Sequence, residues 1–449
     1  MDNYQSKEEI LGKISVPDDV RDVILNCKSI VLADDVNDLI DISVPNKEGV
    51  HEVSFDVPGH GNIKEAVVYR VKNGIAANYY EPYLRRRDPE SMIVADDLPS
   101  DKIHFREVFN KEFSELRQET LDWFKEQDLA MFCFASGQMV EEFPSIAIVP
   151  FNSGFFALGL SLLQGLIRMS EFKGVFKPKV FLYCAPPFRH THFDGKQRVV
   201  HNRTKNSYEV FSYNLYPGPS AKKGIYGVLI HFGELEGWVT AHASAVQVIT
   251  PYDNKIVIMH EGASGGGKSE MHEFIHRQED GSILFGENLI TGEEKHLYIQ
   301  RNCKLRAITD DMAICHSKLQ KGDGRLRIAD AERGWFIRVD HINHYGTDPE
   351  MERHSIHPAN PLLFLNIDTQ ANATALLWEH IEDSPGVPCP NPRFVQRRSN
   401  IPRIYNGTVP VDIRSFGVRC PPCTKENPTY GILGLFHILP PALAWLWRL

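Results

Sequence analysis

Residues 256–275 constrain this chain more than any other stretch. They read Ile256-Val-Ile-Met-His-Glu-Gly-Ala-Ser-Gly-Gly-Gly-Lys-Ser-Glu-Met-His-Glu-Phe-Ile275. An apolar, β-branched run enters a loop made of Gly262, Ala263, Ser264, Gly265, Gly266, Gly267, Lys268 and Ser269, and helix-compatible residues follow. The loop has the spacing G-x-x-x-x-G-K-[ST], and strand–loop–helix is the context a phosphate-binding P-loop requires. Glycines let backbone N–H groups close around anionic oxygens, and the N-terminus of the following helix adds its positive end. In such a loop Lys268 reaches the β/γ-phosphates of ATP and the Ser269 hydroxyl sits on Mg2+. An ordinary turn has no use for a Lys-Ser pair at the first turn of a helix. Four glycines in the six residues 262–267 are costly unless the backbone must approach a ligand.

At 449 residues the chain is long enough for two domains, and the split is expected near residue 237, giving 1–237 and 238–449. The net charge of -9 argues against general nucleic-acid binding, so an anionic substrate must be drawn by a local basic cluster. The N-terminus shows no apolar signal segment, and eight cysteines in so long a chain do not make a disulfide scaffold. Cys420-Pro-Pro-Cys423 reads as two reduced thiols in a Pro-stiffened loop, because no thioredoxin-like pattern surrounds it. These features fit a cytoplasmic protein. Residues 431–449 are almost wholly apolar. By length they could span a membrane, but Pro440, Pro441, His437 and Arg448 favour a buried segment. The abrupt apolar ending leads to the expectation that the chain is truncated at its C-terminus.

Periodicity predicts a mixed α/β (α+β) chain. Helical spacing runs over 106–130, with Phe109, Phe113, Leu116, Leu121 and Phe124 in phase. A strand is expected at 146–151, an apolar helix at 154–169 and a strand at 180–184, ended by Pro186 and Pro187. Further strands are expected at 239–248, 256–260 and 305–309, with 277–304 read as a polar insertion. Asp310 and Asp311 follow the last of these strands, where a carboxylate beside Mg2+ belongs in a P-loop protein. His242 lies among small residues on the 239–248 strand and could be structural or a metal ligand. Lys222 and Lys223 precede an apolar stretch. Such a pair is usually solvated, but a buried lysine near cations can be neutral or can donate to phosphate.

In combination these motifs resemble the phosphoenolpyruvate carboxykinases, most closely the ATP-dependent type, over roughly residues 80–430. Tyr216-Pro-Gly-Pro-Ser-Ala-Lys-Lys-Gly-Ile-Tyr226 is similar to the family's Y-x-G-E-M-K-K-G-x-F, and His242 stands in a context like M-H-C-S-A-N-V. The P-loop resembles G-x-S-G-x-G-K-T, and Thr309-Asp-Asp311 resembles G-D-D. Glu332-Arg-Gly-Trp-Phe-Ile-Arg338 resembles the G-G-C-Y-A-K segment, Asn391-Pro-Arg393 resembles N-T-R, and Ser415-Phe-Gly-Val-Arg-Cys-Pro-Pro422 resembles A-F-G-V-L-P-P. Arg87-Asp-Pro89 followed by Met92-Ile-Val94 is similar to the R-S-P-x-D-K-x-x-V substrate loop. The chain departs from the family at several points. Ser269 and Glu270 replace Thr-Thr, Arg338 stands where a lysine is expected, and Pro219 and Ser220 replace the Glu-Met before the lysine pair. The Arg87 loop lacks the Asp-Lys. The Lys-Ser-Glu ending of the P-loop also resembles the HPr kinase/phosphorylase group.

The resemblance implies a two-lobed carboxykinase-like fold with a P-loop C-terminal domain. It implies a substrate acid, oxaloacetate or phosphoenolpyruvate, with ATP, Mg2+ and Mn2+, and no nucleic-acid or membrane partner. Mn2+ would be held by Lys223, His242 and Asp311, with Asp310 beside them, and Mg2+ by Ser269 and the nucleotide. Arg87 would clamp a substrate carboxylate, Arg393 would bridge enolate and γ-phosphate, and Lys222, Lys268 and Arg338 would stabilise transferring charge. The departures keep two other readings open: a P-loop kinase of the same fold with another small-molecule or protein acceptor, and a nucleotide-binding regulator without catalysis.

Overall fold

The computed structural model describes residues 5–100, 102–138, 142–204, 207–261, 282–298, 303–389, 391–411 and 447–448. The protein is mixed α/β and divides into two compact units. Unit 1 is Met1–Glu236 with Glu332–Pro402, and unit 2 is Gly237–Ala331 with Arg403–Leu449. These units are not the two consecutive segments 1–237 and 238–449, because the chain returns to unit 1 for residues Glu332–Pro402. The reason is sheet pairing: three strands from that segment complete a sheet begun by residues 50–79.

Unit 1 holds two sheets. The first has the order β1 (Ser29–Leu32), β6 (Asp128–Ser136), β7 (Phe143–Pro150), β8 (Val180–Cys184), β10 (Tyr208–Ser212), β9 (Val199–Arg203), β5 (Met92–Val94). The second has the order β19 (Gly334–Arg338), β23 (Arg393–Arg397), β20 (Leu362–Leu365), β4 (Gly74–Tyr79), β3 (Gly61–Val71), β2 (Val50–Val57). A two-stranded ribbon, β21 (Glu382–Ser384) and β22 (Val387–Pro388), stands apart. The helices are α1 (Lys7–Lys13), α2 (Asp18–Asn26), α3 (Val36–Ser43), α4 (Phe105–Phe109), α5 (Phe113–Lys125), α6 (Gly154–Gln164), α7 (Phe188–His192), α8 (Lys223–Glu236) and α9 (Pro349–Ile356).

Alternation along the strands explains the layering. Leu129, Met131, Cys133, Ile146 and Ile148 face a core shared with Ile10, Val23, Ile24, Leu116 and Phe124 of α1, α2 and α5. The other side of the sheet meets α6, every residue of which is buried. A helix apolar all round needs cover on all sides. The second sheet completes that cover: a Cβ on Gly159 would come within 2.9 Å of Leu363. The expected helix over 154–169 stops at Gln164, because Gly165 adopts φ 85° and turns the chain away. The expected 106–130 helix is two helices, broken at Asn110 with φ 49°.

A buried histidine on β9 gives this unit a pH dependence. His201 is 2% exposed. Its Nδ1 lies 2.8 Å from the Tyr208 hydroxyl, and its Nε2 has no hydrogen-bond partner. Burial, assisted by Arg203, pushes its pKa down to about 4. The unfolded chain, with a histidine pKa near 6.5, therefore binds the proton more readily over the window between these values. Stability is intact above about pH 6.5 and falls as pH drops toward 4, by about 3 kcal/mol in total. Imidazole NMR of the native protein should show His201 neutral down to about pH 4. Titration near 6.5 would overturn this account.

Unit 2 is built from small antiparallel sheets: β11 (Val239–Ala241), β17 (Ala313–Cys315), β18 (Leu326–Asp330), β24 (Val409–Val411); then β13 (Lys255–Glu261), β12 (Ala243–Ile249), β16 (Lys304–Thr309); and β15 (Glu294–Leu297), β14 (Ile283–Asn288), β25 (Trp447–Arg448). Ala243, Ala245, Ile308, Ala313, Ile328 and Val409 form its core. Part of the expected insertion is thus the hairpin β14–β15. No helix among the described residues is long and apolar enough to cross a membrane.

Candidate functional site

In unit 2 the central strand β12 orients its two neighbours. Both β13 and β16 run antiparallel to it, with Ala243 opposite Glu261 and Ala245 opposite Thr309. The ends of β13 and β16 therefore lie beside the start of β12. Glu261 directly precedes Gly262, Thr309 directly precedes Asp310, and His242 directly precedes Ala243. One end of one sheet gathers the entrance to the glycine-rich loop, the histidine and the carboxylate pair.

His242 was expected within a continuous strand over 239–248. Instead it sits at the break between β11 and β12, where the chain passes from one sheet to another. Asp310 and Asp311 occupy the matching break between β16 and β17. The Thr309 hydroxyl donates to the Ala243 carbonyl at 3.0 Å, and a register shift opposite Ala245 and Val246 bends β16 there. His242 Nε2 and Asp311 Oδ1 end 2.8 Å apart. Asp310 and Asp311 are 5% and 9% exposed. With Nε2 protonated, His242 donates to the carboxylate.

The same two atoms suit a divalent metal. Ligands about 2.1 Å from one octahedral ion lie about 3 Å from each other, and neutral imidazole with carboxylate is an apt donor pair for Mn2+. Among the described residues, no group of three or more His, Cys, Asp or Glu side chains forms a metal site. A third protein ligand must be of another kind or lie elsewhere in the chain. The residues read as the P-loop, Gly262, Ala263, Ser264, Gly265, Gly266, Gly267, Lys268 and Ser269, lie outside the described residues, as do residues 415–423 with Cys420 and Cys423.

Unit 1 brings together most of the expected anion-binding residues. Arg338 and Arg393 are directly paired across β19 and β23. The Arg393 guanidinium lies 4.9 Å over the Phe336 ring, and its Nε donates to Asn391 Oδ1 at 2.6 Å. Asn391 Nδ2 in turn donates to the Arg85 carbonyl and to the Tyr216 hydroxyl, each at 2.9 Å. Asn366 Nδ2 donates to the same Arg85 carbonyl and to the Asn391 carbonyl, each at 2.8 Å. Two buried asparagines thus join the Arg85–Arg87 loop, Arg393 and Tyr216 into one network. Arg87, two residues past this anchor, is half-buried.

Neighbouring carboxylates engage several of these cations. Asp383 pairs with Arg85 at 3.2 Å and with Arg86. Burial opposes ionisation of Asp383, but the hydrogen bonds from Arg86 and Arg85 hold its pKa below the usual value. Arg338 forms a two-pronged pair with Asp340, at 2.9 and 2.7 Å. Lys222 lies 3.6 Å from the buried Glu332, and Lys223 stands 5.6 Å over the Tyr226 ring. Each of the two lysines is only 7% exposed, unlike an ordinary solvated pair. They lie where the fully buried π-helical turn Gly218–Lys222 runs directly into α8.

Sequence reading missed Asn366, Asp340 and Asp383. Asn366 has one local signature, a left-handed φ of 61°, which asparagine tolerates, but no sequence pattern announces it. The two aspartates are ordinary loop acids until the fold sets them beside arginines.

No curated protein matches the chain. The model of one family, described as Domain of unknown function (DUF4914), matches residues 16–449, nearly the whole length, and the chain belongs to that family.

Proposed function

We propose that the protein is an ATP-dependent, phosphoenolpyruvate carboxykinase-like enzyme with a two-lobed fold of that type. It would decarboxylate oxaloacetate and phosphorylate the enolate, giving phosphoenolpyruvate, ADP and CO2. The observation that carries this reading is the convergence of the Gly262 loop entrance, His242 and Asp310–Asp311 at one end of one sheet, with His242 and Asp311 2.8 Å apart. Placement of a carboxylate beside a phosphate loop is what metal-assisted phosphoryl transfer requires.

In this reading His242 and Asp311 would contribute to holding Mn2+, while Ser269 and Asp310 would serve Mg2+. The metals, when bound, supply charge neutralisation at the reacting oxygens. Arg87 binds a substrate carboxylate. Arg393, braced by Asn391 and Phe336, offers a fixed positive charge where the enolate oxygen and phosphoryl group meet. Lys222, 3.6 Å from Glu332, and Lys268 would stabilise the moving phosphoryl charge. The buried asparagine network holds the arginine fork without reorganisation during the reaction.

One observation favours the second reading, a kinase of the same fold with a different acceptor. Arg338, which replaces the expected lysine, already has a two-pronged carboxylate partner in Asp340, and the Arg85–Arg87 loop is tied to Asp383. Both neutralise charge that oxaloacetate would otherwise meet.

Phosphorus NMR of the purified protein with ATP, Mg2+, Mn2+ and oxaloacetate tests the proposal. A growing phosphoenolpyruvate resonance is expected. Intact ATP in the presence of demonstrated nucleotide binding would refute the carboxykinase reading and leave the kinase with another acceptor. In the same assay His242→Ala is expected to lose Mn2+ activation, with the half-saturating Mn2+ concentration raised about 10–100-fold, as is typical when a metal site loses a supporting group. An unchanged Mn2+ titration would remove His242 from the metal site.

A further inference from the structure

Unit 1 carries a second concentration of positive charge at the opposite end of the β19–β23 pair from Arg338 and Arg393. Gly334 is the register partner of Arg397, and the Arg398 N–H donates to the Arg333 carbonyl at 2.8 Å. The Arg333 side chain crosses the turn after α6, where a Cβ on Gly165 would lie 2.9 Å from its Cδ. Arg168 is three residues further along that turn. Three arginines from three separate segments therefore gather where α6 ends.

Their partners differ. Arg168 pairs with Glu171 at 3.1 Å and Arg333 with Glu142, and both of these glutamates are mostly exposed. The Arg397 side chain makes no ion pair or hydrogen bond among the described residues, and its buried Nε has no partner. Burial, with the like charges of Arg168 and Arg333, pulls its pKa below the ordinary arginine value. A guanidinium remains charged under any physiological condition, so here a cation is held half-buried against its own kind. That arrangement is costly unless an anion joins it.

We propose that Arg397, flanked by Arg168 and Arg333, forms a second oxyanion-binding site, selective for a phosphate group. A multiply charged tetrahedral anion can accept from several forks at once, whereas a single carboxylate satisfies one. Antiparallel strands rise about 3.4 Å per residue, so Arg397 stands about 14 Å along β23 from Arg393. The site is therefore separate from the proposed substrate arginines, and a small phosphorylated metabolite bound there would tighten the β19–β23 pair on which Arg393 is mounted. This inference stands independently of the carboxykinase reading.

The test uses the full chain carrying Lys268→Ala, which removes the P-loop contribution to phosphate binding. Inorganic phosphate is titrated at constant ionic strength and the unfolding temperature is followed, with acetate as the carboxylate arm. Phosphate is expected to raise the unfolding temperature, and acetate at the same concentration is not. Adding Arg397→Met should weaken the apparent phosphate affinity at least tenfold. The proposal fails if phosphate has no effect on the Lys268→Ala parent or if Arg397→Met leaves the response intact. An equal response to acetate would overturn the phosphate assignment. Should Arg397→Met not fold, Arg168→Met and Arg333→Met give the same reading: each is expected to weaken the response at least threefold, and no change in either rejects the site.

Discussion

Lys268→Ala is expected to lower nucleotide-dependent turnover by about 10²–10³-fold, by analogy with the loss of a single oxyanion-hole donor in acyl transfer. The argument begins with strand β13, which ends at Glu261 immediately before the glycine-rich loop. Its partner β12 starts next to His242, and β16 delivers Asp310 and Asp311 to the same end. A nucleotide whose phosphates lie on the 262–269 loop would present its terminal phosphate to that acidic corner. In the proposed P-loop Lys268 would be the cation for those phosphates, and alanine would leave their charge uncompensated. Two readouts separate binding from chemistry: fluorescent-nucleotide affinity and the rate of product formation with saturating ATP. A loss confined to the rate marks a transition-state role, and a loss in both marks ground-state phosphate binding as well. Full activity with full affinity in the variant would refute the P-loop assignment altogether.

Gly74→Ala is expected to destabilise unit 1 by roughly 4 kcal/mol, from overpacking and backbone strain together. Gly74 opens β4 with φ 148°, and a Cβ there would lie 2.0 Å from the Leu362 carbonyl oxygen and 2.6 Å from its nitrogen. Backbone cannot move aside as the tip of a flexible side chain can. Leu362 is the register partner of Gly74 in the parallel β4–β20 pair. The site is pinned further by Asn73, whose carbonyl accepts from the Leu362 N–H at 3.0 Å and whose side chain donates to the Ser355 and Ala375 carbonyls. The effect should reach the proposed anion-binding residues, because β20 ends at Leu365, one residue before Asn366, which supports Arg85 and Asn391. Gly59→Ala is the control. It has a similar need for positive φ, 79°, but open space around the missing Cβ, so only the conformational term of about 1 kcal/mol is expected. Urea unfolding of both variants checks the comparison. Equal losses would mean that the close approach to Leu362 relaxes at no cost.

Several elements were readable locally. The strand over 180–184 appears as Val180–Cys184, and the apolar run before the P-loop appears as the strand Lys255–Glu261, because continuous apolar β-branched runs bounded by turn formers have few alternatives. The 154–169 helix was legible in kind but not in length. Its end depends on Gly165, which combines a positive φ with close passage of the Arg333 side chain, a contact with a residue far along the chain. His242 was misplaced within its strand for a related reason. The residues 239–248 are uniformly strand-like, and the break at His242 arises where the chain exchanges one sheet for another, which no local pattern encodes.

By itself the sequence determined the chemistry available to this protein: a glycine-rich stretch with P-loop spacing, an acidic pair after a strand, a histidine among small residues and arginines at spaced intervals. Residue type and short-range spacing carry that information, because backbone amides, carboxylates and guanidinium groups have intrinsic affinities for phosphate, metal and anions. Only the tertiary structure decided which of these groups meet. It set His242 against Asp311 through two antiparallel strand pairings, joined Arg393 to the Arg85–Arg87 loop through two buried asparagines, and buried a lysine pair that would ordinarily be solvated. It also returned residues Glu332–Pro402 to unit 1 and left Arg397 among like charges. Each of these outcomes depends on contacts between segments distant in the chain, where burial and hydrogen-bond satisfaction over the whole unit outweigh local preference.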